Sequence, residues 1–382
     1  MSQLLIVYSA MSGEELEDSL QAAGVHAQVI ASFDKLGAFL VKVLTEPSDL
    51  GDVARRLRAS NITAFQSRPL ESVGHWRRMP GMANSNELMP SAPNNPPSNA
   101  VTIAVLDAHG FFKHAVFGNR LTTFDASNGS VTPGAPPPKL GESEGTAVAS
   151  VAAGGDPCMG PASDCSVWGF LTKETAHMVA AIDFILASNQ QAGPEGKKVR
   201  VIVTAWKVRL REDELVSDVG FELALAKLDE AGVLFVTAGG NTGTIPEEPM
   251  HPLGTLPNVL TVGGFEDNRP SGADAGDTVH EDSTRGPEGS RKPDVLAPYA
   301  NWIVAPEVPE LNVHGGRGTS LAAAYVAGLL AKVISANDDL TRAGVSQLLA
   351  RSGVCQDLGA PINAQGFGAL NPAEVEAQVI LV

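Results

Sequence analysis

Four polar residues of this 382-residue chain lie where an apolar segment ends or a helix-like segment begins. Asp107 follows the run TIAVL, and Asn241 follows VLFVTAGG. Glu144 lies just before TAVASVAAG, and Ser320 opens LAAAYVAG. A serine at a helix N-terminus is placed for nucleophilic attack, because backbone N–H groups and the helix dipole stabilise an oxyanion formed beside it. An asparagine amide can supply a further donor, so these residue types indicate acyl-transfer chemistry.

Each of these residues also has a structural interpretation when it is taken alone. Ser320 can cap a helix, Asn241 can occupy a turn, and Asp107 can cap the end of a strand. The chemical interpretation is favoured because all the segments occur together, in one order and at one set of spacings.

The elements that must position these residues predict a doubly wound α/β domain over residues 100–382. Strands that are apolar throughout are typical of a parallel sheet buried on both faces, and helices alternate with them. The predicted strands are residues 101–106, 199–204, 233–237 and 259–262, and the predicted helices are residues 146–153, 173–187, 216–230 and 319–336. In such a fold the site lies beyond the carboxyl ends of the strands.

A smaller unit is predicted before this domain, over residues 1–78. Its order is β-α-β-β-α-β, a ferredoxin-like α+β arrangement. The predicted strands are residues 4–8, 26–31, 38–44 and 62–66, and the predicted helices are residues 12–23 and 49–58. Ser12 with Glu15 forms a capping box for the first helix. Residues 79–99 are rich in Pro and Asn and predict a linker.

The composition narrows the classes of partner and compartment. A formal net charge of −16 repels phosphate backbones and anionic headgroups, so neither nucleic acid nor membrane is expected as a partner. No stretch is expected to be long and apolar enough to span a membrane, and the N-terminus lacks the basic flank of a secretory signal. Three cysteines fit a reducing compartment, so we expect a cytoplasmic location. Cys158 and Cys165 are interpreted as free thiols, with a metal clip as the less favoured alternative.

In order and spacing, these segments resemble the subtilisin-like serine proteases, the subtilases. Asp107 matches the family's catalytic Asp, Asn241 its oxyanion-hole Asn, and Ser320 in GTSLAAAYVAG its nucleophile. The stretches LPNVLTVGGF, RKPDVLAP and GFGALNPAEV also match, so the resemblance covers about residues 101–375. It implies a subtilisin-like fold with a peptide groove. It also implies that the N-terminal unit is similar to the family's propeptide, an inhibitory chaperone that docks on that groove.

The chain departs from the family at the catalytic base. Where the family has His-Gly-Thr-His, this chain has Glu144-Gly145-Thr146-Ala147. A carboxylate with a pKa of about 4.3 is poorly suited to deprotonating a serine at neutral pH, for which a pKa of about 7 is efficient. In the family's fold Glu144 would face Asp107, and one of two close carboxyl groups would keep its proton to a raised pH.

A second departure concerns the strand that lines the family's first specificity pocket. The family has a Ser-Leu-Gly-type motif there, and this chain has Thr204, Ala205 and Trp206. The indole would fill or reshape the pocket, or Trp206 would turn into the core, and both alternatives stay open. The residues expected to bind substrate are Thr204, Ala205, Trp206, Gly239 and Gly240. Neither calcium nor any other metal or cofactor is expected.

Two other histidines are candidates for a surrogate base. His109 lies two residues after Asp107, and His314 lies six residues before Ser320. Most histidines in a chain of this size are structural or lie on the surface, so this alternative is the less favoured one.

Two functional hypotheses follow. The first is a subtilase homologue with a degenerate triad, proteolytically impaired, that binds a peptide or takes part in peptide maturation and whose groove its own N-terminal unit occupies. The second is an active serine endopeptidase, favoured in acid, in which Ser320 attacks, Glu144 is the base and Asp107 shares its proton. Sedolisins of the same fold use a Ser-Glu-Asp triad, but they have an Asp where this chain keeps Asn241.

Overall fold

The structure is a computed structural model of the 382-residue chain. It describes residues 4–44, 50–72, 101–139, 142, 144–192, 196–208, 220–246, 248–268, 276–305 and 314–379. The predicted linker at residues 79–99 lies outside the described residues.

The N-terminal unit, residues 4–72, is a four-stranded antiparallel sheet covered on one face by two helices. Its elements are β1 Leu4–Tyr8, α1 Gly13–Ala22, β2 Ala27–Phe33, β3 Ala38–Val43, α2 Leu50–Ala59 and β4 Thr63–Gln66, and the strand order is β2-β3-β1-β4. The predicted capping box of Ser12 and Glu15 is present, and Gly24 follows the helix with a φ of 74°. Because strand side chains alternate, Leu5 and Val7 pack towards the two helices and Ile6 packs towards the large domain.

The large domain is built on an eleven-stranded sheet within the described residues. The strands of this sheet are β6 Val101–Asp107, β7 Leu121–Asp125, β8 Thr132–Pro133, β9 Ser166–Leu171, β10 Lys198–Thr204, β12 Leu234–Ala238, β13 Val259–Glu266, β14 Thr278–Val279, β15 Val295–Pro298, β18 Cys355–Gln356 and β19 Ala369–Leu370. Two smaller sheets are formed by β5 Leu70–Ser72 with β11 Trp206–Val208, and by β16 Trp302–Val304 with β17 His314–Gly316. The strand order in the eleven-stranded sheet is β18-β19-β15-β13-β12-β10-β6-β9-β7-β8, and β14 pairs with β13. All neighbouring strands between β15 and β7 in this order are parallel.

Helices cover both faces of this sheet. They are α3 Glu144–Ala153, α4 Thr175–Gln191, α5 Glu222–Glu230, α6 Pro252–Thr255, α7 Thr319–Ala336, α8 Arg342–Leu349, α9 Ile362–Gln365 and α10 Pro372–Val379. Helices α3 and α7 share one apolar cluster with one face of the sheet, and α4 and α5 share another with the opposite face and with the N-terminal unit. A Cβ on Gly328 of α7 would lie 2.2 Å from the carbonyl oxygen of Ala152, so glycine permits α3 and α7 to pack closely.

Most predicted elements are present, with some corrections. Helix α3 begins at Glu144 rather than at residue 146, α5 begins at Glu222, and residues 216–219 of its predicted range lie outside the described part. The prediction that no stretch reaches membrane-span length and apolarity is wrong for α7. That helix is a core helix, because 83% of its apolar window is buried in the molecule.

The two cysteines of the Gly- and Pro-rich loop are free thiols, as preferred from the sequence. Burial raises the pKa of Cys158 to about 12 and that of Cys165 to about 11. A thiol that stays protonated is a poor nucleophile.

Candidate active site

Ser320 lies in the first turn of α7, directly after a backbone turn that only glycine adopts readily. Gly318 precedes the helix with a φ of 136°. The Ser320 side chain is fully buried, and its Oγ has no hydrogen-bond partner among the residues that the structure describes. Ser320 is therefore at the position expected for a nucleophile, but without a base bound to its hydroxyl.

Asn241 lies beside this helix N-terminus and is tied to it through Thr319. The Oδ1 atom of Asn241 accepts the backbone N–H of Thr319 and its hydroxyl, both at 2.9 Å. The Thr319 hydroxyl oxygen in turn accepts the N–H of Gly240 at 3.1 Å. Because the amide oxygen is held by Thr319, the donor end of the Asn241 amide points away from Thr319. The sequence analysis did not single out Thr319.

Gly240 requires its residue type for two reasons. Its φ is 119°, and a Cβ there would lie 2.6 Å from Oγ1 of Thr284. The Gly240 carbonyl accepts the N–H of Thr284 at 3.1 Å. Gly239 continues the sheet, because its N–H donates to the carbonyl of Val262 at 2.8 Å. These contacts fix the turn that carries Asn241.

His251 contacts the strand end that precedes the same turn, and the sequence analysis did not single it out. Its Nε2 lies 2.7 Å from the carbonyl oxygen of Ala238, the last residue of β12. The ring is buried, and burial lowers the pKa of His251 to about 4. A neutral imidazole therefore anchors the strand end, and nothing in the local sequence signals this contact.

Asp107, the last residue of β6, is buried and bound by three N–H donors. Its Oδ1 accepts the backbone N–H groups of His109 and Gly110, both at 2.8 Å. Its Oδ2 accepts the indole Nε1–H of Trp206 at 2.7 Å. Burial raises the pKa of Asp107, and the hydrogen bonds from Trp206, Gly110 and His109 partly oppose that rise. The side chain that binds Oδ2 here is an indole.

Glu144 is the first residue of α3, and this turn packs directly on Asp107. Glu144 is buried with 5% exposure. A Cβ on Gly145 would lie 2.7 Å from Cγ of Asp107 and 2.7 Å from the carbonyl oxygen of Gly110. Glycine at position 145 therefore lets the helix N-terminus approach the carboxyl group, and it brings the turn that carries Glu144 to the same place.

Trp206 turns into the core, which is one of the two alternatives that the sequence left open. It is buried with 4% exposure in the apolar cluster shared with α4 and α5, and its indole N–H faces Asp107. Its backbone N–H donates to Oγ1 of Thr204 at 3.3 Å, and that hydroxyl donates to the carbonyl of Leu106 at 3.1 Å. Ala205 between them is buried. The three residues predicted to bind substrate thus lie against the end of β6.

Neither surrogate histidine is bound to Ser320 through a described contact. The ring of His109 lies edge-on to Trp206, with centroids 4.8 Å apart and planes at 89°. The Nδ1 atom of His109 is buried and has no hydrogen-bond partner in the described part of the chain. The side chain of His314 lies outside the described residues.

The N-terminal unit contributes a strand to the surface beside the site. Strand β5 pairs antiparallel with β11, with Leu70 opposite Val208 and Ser72 opposite Trp206. The N–H of Leu70 also donates to the carbonyl of Lys173 at 3.0 Å. Farther away, Asp183 of α4 accepts the N–H groups of Lys35 and Leu36 at 2.6 and 3.1 Å. The unit is therefore docked through both backbone pairing and side-chain contacts.

The fold, the serine at a helix N-terminus and the neighbouring Asn and Asp define a subtilisin-like protein. The sequence model of the subtilase family, Peptidase_S8, matches residues 98–369, and the chain belongs to this family. The serine protease AprX of Bacillus subtilis (strain 168) is 28% identical over 297 residues, which are 71% of this chain and 65% of AprX. The chain thus covers less than two thirds of the length of that relative.

Solved structures show the same fold, and two of the three below align with 99% or more of the chain. The epidermin leader peptide processing serine protease (EpiP) of Staphylococcus aureus superposes with a TM-score of 0.69 at 15% identity, covering 100% of this chain and 99% of EpiP. Fervidolysin of Fervidobacterium pennivorans, a keratinolytic enzyme, also gives a TM-score of 0.69 at 15% identity, covering 99% of this chain and 61% of fervidolysin. The prenylagaramide maturation protease PagA gives a TM-score of 0.56 at 22% identity, covering 74% of this chain and 95% of PagA.

Proposed function

We propose that this chain is a subtilase homologue that binds extended peptides and has lost efficient proteolysis. The observation that carries the proposal is the state of the two reactive side chains. The Ser320 hydroxyl has no hydrogen-bond partner in the described part of the chain, and the Asp107 carboxyl is bound by an indole. A serine becomes nucleophilic when a base lies within about 3 Å of its hydroxyl, and an indole N–H has no basic lone pair to offer.

The pairing of β5 with β11 supports peptide binding. A strand that accepts another strand through backbone hydrogen bonds offers affinity without regard to side chains, and pockets for alternate residues add specificity. The N-terminal unit is then the resident ligand of this groove, and a free peptide or an unfolded protein segment is the external one. Because EpiP processes a leader peptide and PagA is a maturation protease by their descriptions, a role in peptide maturation is the narrower form of the proposal.

The second candidate is a serine endopeptidase that works in acid with Glu144 as the base. It is favoured by the position of Glu144, which is buried in the helical turn that packs on Asp107. In this mechanism Ser320 attacks a carbonyl, Glu144 takes its proton, and Asn241 with the Ser320 N–H stabilises the oxyanion.

A serine-directed fluorophosphonate probe separates the two candidates. The full chain and Ser320→Ala are treated with the probe, and with a peptide library, from about pH 4 to about pH 9, the range over which carboxyl and imidazole bases titrate. We expect no difference between the two proteins in labelling or cleavage, together with peptide binding by both. Labelling or cleavage that disappears in Ser320→Ala contradicts the proposal, and a rate that rises towards acid supports Glu144 as the base.

A further inference from the structure

Trp206 takes part in two structures at once. Its backbone lies in β11, where it pairs with Ser72 of the strand that occupies the groove. Its indole N–H donates to Oδ2 of Asp107 at 2.7 Å. A single residue therefore joins the surface where a peptide strand pairs and the carboxyl group of the candidate active site.

The indole has little freedom to leave this position. Trp206 and Asp107 are 4% and 1% exposed, so water does not compete for the hydrogen bond. The other oxygen of Asp107 accepts the N–H of His109, whose ring lies edge-on to the Trp206 ring at 4.8 Å. The indole therefore contacts both the carboxyl group of Asp107 and the ring of His109, whose backbone N–H binds the same carboxyl group.

The chemistry of the pair is asymmetric. An indole N–H only donates, so Trp206 can orient Asp107 but cannot receive a proton from it. In a serine protease triad the Asp orients an imidazole, which then moves the proton of the serine. Here the side chain that binds Oδ2 belongs to Trp206 of β11, so the position of the carboxyl group depends on β11.

We propose that Trp206 is a positioning residue that couples the groove to Asp107: the strand paired with β11 holds the indole, and the indole holds the carboxyl group. The inference rests on the proposed function in one respect, namely that β11 lines the peptide groove. It goes beyond that function, because it assigns the groove a second effect on the buried acidic group.

Hydrogen–deuterium exchange of the full chain measures this coupling without relying on activity. Trp206→Phe keeps a ring and removes the donor. Asp107→Asn keeps one carbonyl oxygen for His109 and Gly110 and replaces the acceptor that faces Trp206. Trp168→Phe is the matched control, because Trp168, on β9, packs against Phe124 of β7 and is not a partner of Asp107.

The expected result is faster exchange of the amides of residues 70–72 and 206–208, by about fivefold or more, in Trp206→Phe and in Asp107→Asn. Trp168→Phe leaves these amides at their original rates. The double variant exchanges no faster than the faster single variant, since both changes break the same bond. If Trp206→Phe does not fold, the comparison of Asp107→Asn with the original chain carries the test.

Rates in the two variants equal to those of the original chain overturn the coupling, and so do effects that add in the double variant. Fluorophosphonate labelling of the same samples keeps this result distinct from the proposed function. Labelling of Ser320 in the original chain contradicts the proposed function and leaves the exchange result valid. Unchanged exchange without labelling contradicts the coupling alone.

Discussion

The candidate site has two halves that differ in what surrounds their polar atoms. The α7 half is built on α7 and β12, and the β6 half is built on β6 and α3. In the first half, backbone groups, the Thr319 hydroxyl and the Asn241 amide bind one another, and the Ser320 hydroxyl has no hydrogen-bond partner among the described residues. In the second half, the carboxyl group of Asp107 accepts the indole N–H of Trp206, and Glu144 is buried in the first turn of α3. An oxyanion-binding arrangement can persist as a structural feature, because its parts also stabilise the strand end and the helix N-terminus.

This difference indicates that the contacts of one half can be kept when those of the other half change. The α7 half is held by contacts that any folded copy of this chain requires, including the positive φ of Gly240 and the buried His251. In the β6 half, the Asp107 carboxyl is held by the Trp206 indole and by backbone N–H groups, and Glu144 is one side chain in the first turn of α3. Four experiments each change one half of the site, and each has a control variant of its own.

Glu144→His is expected to have the largest effect. An imidazole at this position restores a base with a pKa near that needed, and general base catalysis contributes about 10²-fold or more to the rate. Fluorophosphonate labelling at about pH 8, where a free imidazole is neutral, measures the gain. Glu142→His, two residues earlier and half-exposed, is the matched control. A Glu144→His protein labelled no faster than this control shows that an imidazole at position 144 is not sufficient, either because Trp206 still holds Asp107 or because the α7 half is incompetent.

His251 is expected to make stability fall in acid. Its pKa is lowered in the folded state to about 4, so its contribution is complete above about pH 6.5 and is lost as the pH falls towards 4. The loss is about 3 kcal/mol of the free energy of unfolding. Urea unfolding across this range is compared for the original chain, His251→Gln and the exposed control His26→Gln. If the free energy of unfolding falls with decreasing pH as steeply in His251→Gln as in the original chain, the assignment to His251 is refuted.

Gly145→Ala is expected to destabilise the β6 half by about 2 kcal/mol, because the new methyl group meets Asp107 and the carbonyl of Gly110 at 2.7 Å. The free energy of urea unfolding measures the loss. Gly276→Ala is the control, since none of the described residues lies within 4 Å of a Cβ at that position. Equal stability of the two variants means that α3 moves away from Asp107 at little cost.

Thr319→Val is expected to have the smallest effect, about 1 kcal/mol, because it removes the hydroxyl that joins Gly240 to Asn241. Thr319→Ser keeps that hydroxyl and is expected to stay within a few tenths of a kcal/mol of the original chain. Thermal or urea unfolding measures both variants. A Val variant as stable as the Ser variant shows that water replaces the hydroxyl, and that this half is less tightly built than its geometry indicates.

Local patterns predicted the elements, and long-range contacts escaped prediction. Residues 319–336 were predicted with the observed ends, because the apolar run begins at a helix-starting position and stops at Asn337. Strand β9 was not predicted, since SVWGFL is short and contains a glycine that accommodates the Phe111 ring. The bond between Trp206 and Asp107 joins residues 99 positions apart, and no local pattern encodes it. The roles of the predicted site residues stay predictions until the variants are measured.

Strand β5 belongs to the same chain as β11, the strand that it covers, and under the proposed function this determines how any other peptide would bind there. A tethered segment is present at an effective concentration of about a millimolar, whatever the concentration of the protein. A free peptide must therefore displace a competitor that dilution does not remove. Its apparent affinity will depend on the difference between the binding free energies of the free peptide and of β5. A variant that weakens the pairing of β5 with β11 will strengthen the binding of every peptide by a common factor.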